Sequence, residues 1–317
     1  MLAAALRSLC LGRAMASHLL AGVDVGGTKI AVGIADAAGR VIATRRECTT
    51  TGSGERVISQ IAALLTAAVA DAGAAAAPSV IGIAVPAVFE QTSVLWAPNI
   101  PGWQREIEVG RPIAAALGAP VSLHYDGHAW VTGEWWCGAA RDARSVALIA
   151  VGTGIGGGII LDGRLHRGRV GVAGAVGWWV ADWRQAASER RGPNGWLESV
   201  ASGPAIARAA YRATAEEAFR AARAGDSVAQ VAVRRAAEVL GVAAANIATL
   251  TDPEIIVLAG GVIAGGADLL LPRIRQIVGS ETQPQIACGL RVVTAELGED
   301  AGWLGAARLA QMQGGDA

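Results

Sequence analysis

Charged residues are scarce in this sequence, and the charges that it carries cancel. Charged side chains make up 17% of the 317 residues, and 27 Lys and Arg stand against 27 Asp and Glu. A net charge of zero gives no electrostatic reason to expect a nucleic acid or an anionic membrane surface as partner. Hydrophobic residues make up 52%, which excludes an intrinsically disordered chain, and the length suffices for two domains of ordinary size.

Cysteines are also few, and they lie far apart. The four of them, Cys10, Cys48, Cys137 and Cys288, form neither a CxxC pair nor the spacing of a zinc ribbon. We therefore expect a reduced, cytoplasmic protein. No uninterrupted apolar run reaches the roughly twenty residues that a membrane-spanning helix needs, so we expect no membrane partner.

Residues 1–17 differ from the rest of the sequence. They contain Arg7 and Arg13, no acidic residue, and scattered Ala and Leu. This composition fits either a weak targeting peptide or a disordered extension. We expect the extension, with the true start near Met15.

The same strand–glycine turn–strand arrangement opens both halves of the chain. In the first half, strand-like residues 19–24 lead through a glycine turn to the β-branched run 30–35. In the second half, residues 146–151 lead through the glycine turn 152–158 to the run 159–161. A recurrence of this kind predicts a duplicated domain.

Helical patterns alternate with strands along the whole chain. The apolar periodicity predicts helices over 56–72, 204–224, 227–250 and 300–313, and buried strands over 80–85, 121–124 and 255–259. This alternation predicts an α/β fold with mixed sheets. Since no Pro- or Ser-rich linker separates the halves, we expect them to pack closely around a cleft and to hinge.

The first glycine turn has the composition of a phosphate-binding loop. Gly26 and Gly27 allow backbone N–H groups to approach a polyphosphate, and Thr28 adds a hydroxyl donor. Asp24, at the end of the strand, is placed to hold Mg²⁺ directly or through water. A plain hairpin is the alternative, but a hairpin requires neither the Asp before the turn nor Thr28 and Lys29 after it.

The two glycine turns exclude two better-known nucleotide-binding folds. Gly152, Gly154 and Gly157 formally satisfy GxGxxG, but a strand follows where a dinucleotide-binding domain needs a helix. A P-loop also fails in the first turn, because Thr28-Lys29 stands where Lys-Ser or Lys-Thr is required. Both mismatches are explained if the two glycine turns, one from each half, enclose the same nucleotide.

A set of motifs from residue 19 to the C-terminus resembles the ROK family of sugar kinases and related repressors, in the actin-like ATPase superfamily. The resemblance implies an α/β fold of two actin-like ATPase (RNase H-like) domains with a cleft between them. It implies a smaller domain over 18–125, a larger one over 126–317 whose last helix packs back on the first, and a homodimer. The motifs occur in family order: Asp24-Val-Gly-Gly-Thr-Lys29, Asn99-Ile-Pro-Gly-Trp103, Asp126, Gly133-Glu134, 152–158, 168–177, Leu197-Glu198, Ala201-Ser-Gly203 and Ala259-Gly-Gly261.

The resemblance also implies roles for particular residues. Asp126 is the expected general base that takes the proton of the attacking hydroxyl, and Asn99 and Glu198 are expected to contact the sugar. Gly260-Gly261 resembles the adenosine-side turn. The cofactors are ATP and Mg²⁺, and the expected phosphate and ATP ligands are Asp24, Gly26, Gly27, Thr28, Lys29, Gly152, Thr153, Gly154, Gly156, Gly260 and Gly261.

Each of these roles has a structural alternative. Asp126 can serve as the N-cap of the helix that follows it, with or without a catalytic role. Asn99 can be a turn residue before Pro101, Glu198 a surface residue, and Gly260-Gly261 a plain strand-to-helix turn. Tryptophans near Asp126 (Trp130, Trp135 and Trp136) line either the cleft or, the safer interpretation, the core.

The sequence departs from the family where a zinc motif is usual. Ala175 and Trp178 occupy the Glu and His positions of Glu-x-Gly-His. The family's Cys-x-Cys-Gly-x-x-Gly-Cys stretch aligns with Glu189, Arg191, Gly192, Gly195 and Trp196, so none of its three Cys positions holds a Cys. A zinc site needs about four well-placed ligands, so we predict none. We expect Trp178 and Trp196 to pack together in place of the metal.

Other substrate positions also differ from the family. Tyr125 stands where the family usually has Asn, and Ala87 stands where it often has Gly. The sequence therefore predicts a kinase that transfers the γ-phosphoryl of ATP to a hydroxyl of a hexose, most simply glucose. The expected substrate-binding positions are Asn99, Tyr125, Asp126, Ala175, Trp178 and Glu198. Because Tyr125, Ala175 and Trp178 differ from the family, a modified acceptor (an amino sugar or a cyclitol) is an alternative. A non-catalytic sugar-binding protein is a further alternative. A sugar-responsive repressor is the least expected one, because about eighteen residues precede the first strand here, fewer than the DNA-binding domain of such repressors needs.

Overall fold

The computed structural model describes residues 19–73, 77–182 and 195–315. The extension 1–17 and the positions Glu189, Arg191 and Gly192 of the zinc comparison lie outside the described residues. The strands are β1 (Leu20–Val25), β2 (Lys29–Ala35), β3 (Val41–Cys48), β4 (Val80–Val85), β5 (Val88–Glu90), β6 (Ser93–Trp96), β7 (Ile107–Glu108), β8 (Val121–Tyr125), β9 (Val146–Val151), β10 (Ile155–Leu161), β11 (Arg164–Leu165), β12 (Ile255–Ala259) and β13 (Arg291–Thr294).

Helices surround these strands, and their bounds match most of the predicted periodicity. No helix within the described ranges combines the length and the apolar character that crossing a membrane requires. The helices are α1 (Gly54–Asp71), α2 (Gly110–Leu117), α3 (Asp126–Cys137), α4 (Trp196–Ala201), α5 (Gly203–Ala209), α6 (Ala215–Arg223), α7 (Ser227–Thr251), α8 (Gly261–Glu281), α9 (Pro284–Gly289) and α10 (Ala301–Gly315).

Two five-stranded sheets have the same topology. The first has the order β3-β2-β1-β4-β8 and the second the order β11-β10-β9-β12-β13. In each sheet three strands form an antiparallel meander, and two more strands are added in parallel to its first strand. The repeat predicted from the two glycine turns is present as this shared strand order.

Each sheet has its own hydrophobic core. Val57, Ile61 and Leu65 are fully or almost fully buried at helical spacing on α1, and they pack on the first sheet. α8 packs against β9, β12 and β13 of the second sheet, and the Ala-rich α7 packs on α8, where small side chains let the two helices approach each other closely.

Two helices fill the space between the sheets. α3 packs against β9 and β10, whereas α10 packs against β1 and β4, and the two helices contact each other extensively. A Cβ on Gly133 of α3 would lie 2.3 Å from the carbonyl oxygen of Ala301, and one on Gly305 of α10 would lie 1.7 Å from that of Ala129. The crossing is therefore possible only without side chains at these two positions.

The structure differs from the sequence prediction at several places. The helix predicted over 204–224 is two helices, α5 and α6, which are separated by Tyr211 with φ of 53° and by the N-cap Thr214. The second glycine turn is shorter than predicted, because β10 already begins at Ile155. A small sheet of β5, β6 and β7 was not predicted, because its strands are only two to four residues long.

Candidate active site

A cleft of about 970 Å³ lies between the two sheets, where β1, β4, β8, β9 and β12 end. Every residue that the sequence assigned to a site lines this cleft. These residues are Asp24, Gly26, Gly27, Thr28, Lys29, Asn99, Tyr125, Asp126, Gly152, Thr153, Gly154, Gly156, Ala175, Trp178, Glu198, Gly260 and Gly261.

The first glycine turn is a closed loop that abuts Asn99. The Gly26 N–H donates to the carbonyl of Lys29 at 2.9 Å, and the Thr49 hydroxyl donates to the carbonyl of Gly26 at 2.7 Å. A Cβ on Gly27 would lie 2.1 Å from the carbonyl oxygen of Asn99. The expected phosphate loop and the expected sugar-contacting residue are thus in direct contact, and only glycine fits between them.

Lys29 is not free in the cleft but forms an ion pair with Glu299. Glu299 lies in the 3₁₀ turn Gly298–Asp300 before α10, and it also lies 3.5 Å from the guanidinium of Arg46. The hydrogen bond from Lys29 and the charge of Arg46 hold the pKa of Glu299 below its usual value, so this carboxylate is ionised at neutral pH.

The second glycine turn lies beside the N-termini of two helices. The Gly152 N–H donates to the carbonyl of Gly154 at 2.9 Å, and the Gly203 N–H at the start of α5 donates to that of Gly152 at 2.8 Å. Gly260 has φ of 89°, and a Cβ there would lie 2.3 Å from the carbonyl oxygen of Val151. Its neighbour Gly261 begins α8, whose N-terminus faces the cleft and favours negative charge.

Asp126 begins α3 at the boundary between the two halves. The N-cap of α3 is Tyr125, and the Asp126 carboxylate accepts from the adjacent Gly127 N–H at 2.7 Å, so the alternative of Asp126 as N-cap is wrong. Burial and the nearby charge of Glu198 raise the pKa of Asp126 to about 6, and the hydrogen bond from the Gly127 N–H opposes this rise.

Asp24 and Asp126 are electrostatic neighbours in the cleft. Burial and the charge of Asp126 raise the pKa of Asp24 to about 7, against the opposing effects of Trp130 and Lys29. The indole Nε1 of Trp130 donates to Asp24 Oδ2 at 3.2 Å. Two adjacent carboxylates with raised pKa values suit a hard cation, which prefers oxygen ligands and would relieve their repulsion.

Glu198 is a cleft residue rather than a surface residue. Its Oε2 accepts the Ile155 N–H at 2.8 Å, which ties α4 to the second glycine turn. Tyr125 lies nearby, with its ring edge-to-face against His128 at a centroid distance of 5.2 Å. Burial and the charges of Asp126 and Glu198 raise the pKa of Tyr125, so it remains a neutral hydroxyl.

The two tryptophans expected to replace a zinc site have different environments. Trp196 is buried, whereas Trp178 is 62% exposed at the cleft, so the expectation of a tightly packed pair is wrong for Trp178. Within the described ranges no group of three or more His, Cys, Asp or Glu side chains is arranged to hold a metal ion. Glu189, Arg191 and Gly192, which align with the family's zinc motif, lie outside those ranges, so the absence of zinc stays a prediction.

Several cleft residues were missed or left undecided from the sequence. Trp130, for which core packing was the safer interpretation, lines the cleft. Glu299 carried no local signal, because its partner Lys29 is 270 residues away. Further lining residues are Val88 and Trp96 of the small sheet and, beside the second glycine turn, Pro204, Ala207, Thr214 and Glu216.

Comparisons with known proteins agree with this architecture. Residues 20–313 match the ROK family. The glucokinase of Thermotoga maritima is 32% identical over 312 residues, which cover 92% of this chain and 96% of that protein. The bifunctional enzyme NanE/NanK of Brucella melitensis is 41% identical over 211 residues, which cover 64% of this chain but only 37% of that enzyme. A crystal structure of a ROK family glucokinase from Streptomyces griseus, in complex with glucose and AMPPNP, has a TM-score of 0.74 at 31% identity and covers 93% of this chain and 99% of that chain.

Two sheets of equal strand order around a glycine-lined cleft define an α/β protein of the two-domain actin-like ATPase class, as the sequence predicted. Within that class, the chain belongs to the ROK family. The predicted fold class and the predicted family are both confirmed.

Proposed function

We propose that this protein is an ATP-dependent sugar kinase that transfers the γ-phosphoryl group of ATP to a hydroxyl group of glucose. One observation carries the proposal: a single cleft brings together two glycine turns, the carboxylates of Asp24 and Asp126, and the hydrogen-bonded carboxylate of Glu198. The glucokinase relative matches this chain over nearly its full length, which supports glucose as the acceptor.

Asp126 is the proposed general base. The acceptor oxygen attacks the γ-phosphorus, the bond from that phosphorus to the bridging oxygen of ADP breaks, and Asp126 takes the hydroxyl proton. With a pKa of about 6, Asp126 is mostly ionised at pH 7, so it can accept this proton. The Gly127 N–H fixes the position of its Oδ1.

Asp24 is the residue that would hold the Mg²⁺ of MgATP, directly or through water. When bound, the ion neutralises charge on the transferred phosphate. The chain contributes few carboxylates here, which fits an ion that keeps several waters and phosphate ligands. The glycine turns and the N-terminus of α8 offer backbone N–H groups to the phosphates, and Thr28 and Lys29 add a hydroxyl and a positive charge.

The proposed sugar contacts are Asn99, Glu198 and Tyr125, which line the cleft together with Asp126. A polyol is selected by paired hydrogen bonds, because a buried polar group that loses its partner costs free energy. Glu198 already accepts one backbone N–H through Oε2, and within the described residues no donor is hydrogen-bonded to its Oε1, which could accept from a sugar hydroxyl. Tyr125, held neutral, can donate as well as accept.

A second acceptor class is favoured by the cleft wall at Ala175 and Trp178. Both residues line the cleft, one with a methyl side chain and the other with an indole that is 62% exposed. A small residue beside an exposed aromatic surface leaves room for an apolar substituent, such as the acyl group of an N-acylated amino sugar. This class is the alternative to glucose.

A coupled ADP-release assay with MgATP decides between these acceptors. The panel contains glucose, other hexoses, free and N-acylated amino sugars, and cyclitols, each with Asp126→Ala as control. Glucose turnover that is lost in the variant supports the proposal, and turnover confined to N-acylated sugars supports the second class. ADP release on no acceptor would contradict the kinase proposal and favour a non-catalytic binding protein.

We also infer the domain organisation and assembly from the resemblance. The smaller domain covers the described residues up to Tyr125, and the larger one begins at Asp126, with α10 contacting the first sheet. A homodimer in the cytoplasm, without nucleic acid or membrane as partner, completes the proposal. Limited proteolysis and sedimentation equilibrium test the domains and the dimer.

A further inference from the structure

The Asp24 carboxylate is bound by a side chain from the other half of the molecule. Trp130 Nε1 donates to Asp24 Oδ2 at 3.2 Å. Asp24 lies on β1 of the first sheet, whereas Trp130 lies on α3, which packs against the second sheet. Within the described chain no donor is hydrogen-bonded to Asp24 Oδ1, so that oxygen stays available in the cleft.

The position of Trp130 on α3 explains how its indole reaches Asp24. Trp130 follows Asp126 by four residues, which is about one helical turn. Side chains four residues apart lie on the same helix face, and long side chains lean toward the N-terminus of the helix. The indole therefore lies on the same face of α3 as the proposed base.

The first turn of α10 closes this contact from a third side. A Cβ on Gly302 would lie 2.1 Å from Asp24 Oδ2 and 2.8 Å from Trp130 Nε1. The carboxylate and the indole fit together only because residue 302 has no side chain. β1, α3 and α10 thus converge on one hydrogen bond.

A second tryptophan on α3, Trp135, has an indole with a purely structural contact. Trp135 Nε1 donates to the carbonyl oxygen of Ala143 at 2.8 Å, and Trp135 does not line the cleft. Trp130 instead lines the cleft and donates to a carboxylate. The chemistry of its partner, rather than its residue type, distinguishes Trp130.

We propose that Trp130 is a positioning residue for phosphoryl transfer. Its indole N–H holds Asp24 Oδ2, so that Oδ1 faces the metal of the nucleotide complex, and its place on α3 sets Asp24 relative to Asp126. This inference rests on the proposed kinase function. A charge-assisted hydrogen bond between the halves can fix a carboxylate that would otherwise rotate away from the ion.

Calorimetric binding of AMPPNP, with excess Mg²⁺ or with EDTA, tests the proposal without turnover. We compare wild type, Trp130→Phe and the matched control Trp135→Phe. The factor by which Mg²⁺ increases the affinity for AMPPNP should be about tenfold smaller in Trp130→Phe than in wild type, as expected for the loss of one hydrogen bond to a charged group. Its affinity in EDTA and the KM for glucose should stay at wild-type values, and Trp135→Phe should behave as wild type.

Retention of the full Mg²⁺-dependent gain in Trp130→Phe, or an equal loss in Trp135→Phe, would overturn the proposal. If Trp130→Phe does not fold, Gly302→Ala provides the second test, because its added Cβ displaces the carboxylate from the indole and should cause the same loss. Wild-type protein that gains no affinity from Mg²⁺ would also overturn it. Failure of the kinase proposal is read separately, from the absence of ADP release by wild-type protein on every acceptor.

Discussion

The ammonium group of Lys29, at the end of the first glycine turn, forms an ion pair with Glu299, which lies 270 residues further along the chain. Both residues line the cleft, so the carboxylate already occupies the position that the proposed phosphate contact of Lys29 requires. Glu299 also lies close to Arg46, and its neighbour Asp300 forms an ion pair with the same guanidinium. The positive charge at the end of the proposed phosphate loop is therefore already paired.

Glu299→Gln should lower the KM for MgATP. The substitution frees Lys29 for phosphate and removes a negative charge from the cleft, and we expect a change of about two- to fivefold, the size of an exposed ion pair. Steady-state kinetics at saturating glucose measures it. The matched control is Glu238→Gln, which breaks an ion pair of 3.2 Å with Arg273 outside the cleft and should leave the KM unchanged. A KM for MgATP that rises in Glu299→Gln would show that the pair supports nucleotide binding.

Asp126→Asn should lower kcat by about 10²- to 10⁴-fold, because it removes the proposed base while keeping the size of the side chain. The KM for glucose should change only a few-fold, since the amide can still hydrogen-bond. Asp162→Asn, at a side chain that is 86% exposed, is the matched control. Near wild-type kcat in Asp126→Asn would remove Asp126 from the chemistry.

The activity of wild-type protein should fall as the pH is lowered through about 6, the pKa of Asp126. The reason is that only the ionised carboxylate can accept the hydroxyl proton. The pH profile of kcat/KM for glucose, measured between pH 5 and 9 at saturating MgATP, reports this ionisation. A flat profile down to pH 5 would contradict the assignment.

Asp24→Asn should stabilise the metal-free protein at alkaline pH. The pKa of Asp24 rises from 3.8 to about 7 on folding, so the folded state keeps a proton that the unfolded state releases. Stability is therefore lost as the pH rises between these values, and the variant, which has no charge to bury, avoids the loss. We expect a gain of about 1–2 kcal/mol at pH 8, reduced by solvent screening, and little difference at pH 4.

Thermal unfolding in EDTA at both pH values tests this prediction, with Asp162→Asn as the control for a lost surface charge. A Tm of Asp24→Asn at or below that of wild type at pH 8 would contradict the burial effect. The predicted gain in stability accompanies a loss of activity, as is common when an active-site charge is removed.

Gly27→Ala should lower kcat/KM for both substrates by at least about tenfold. The added Cβ would lie 2.1 Å from the Asn99 carbonyl oxygen, so either the phosphate loop or the sugar-contacting segment must move, and small displacements in an active site are costly. Gly279→Ala, on α8 with open space around the new Cβ, is the matched control and should retain activity and gain slightly in stability. Unchanged kinetics in Gly27→Ala would disprove the coupling of the two segments.

The glycine turns could be predicted because their signal is local. A strand, a glycine run and a second strand are adjacent in sequence, and the second copy of this pattern appears as the shared order of the two sheets. Asn99, Asp126 and Glu198 are single residues with weak local signals, and their ordered occurrence among the family motifs placed them in the cleft. Their roles remain predictions.

The long-range contacts could not be predicted in the same way. The bond from Trp130 to Asp24 spans 106 residues, and it depends on how α3 is oriented between the sheets. Trp178 was expected to pack with Trp196 in place of a metal, but its side chain lies exposed at the cleft. The break at Tyr211 has a local cause that the Ala-rich pattern concealed, because Thr214 caps the next helix by accepting the Glu217 N–H at 3.2 Å.

The most direct test of the central claim is to quantify sugar phosphate and ADP together. Purified protein is mixed with glucose and MgATP, and both products are measured by mass spectrometry, with Asp126→Asn in parallel. We predict one glucose phosphate for each ADP, and neither product above background in the variant. ADP without glucose phosphate, or glucose phosphate formed equally by the variant, would contradict a kinase that uses Asp126 as its base.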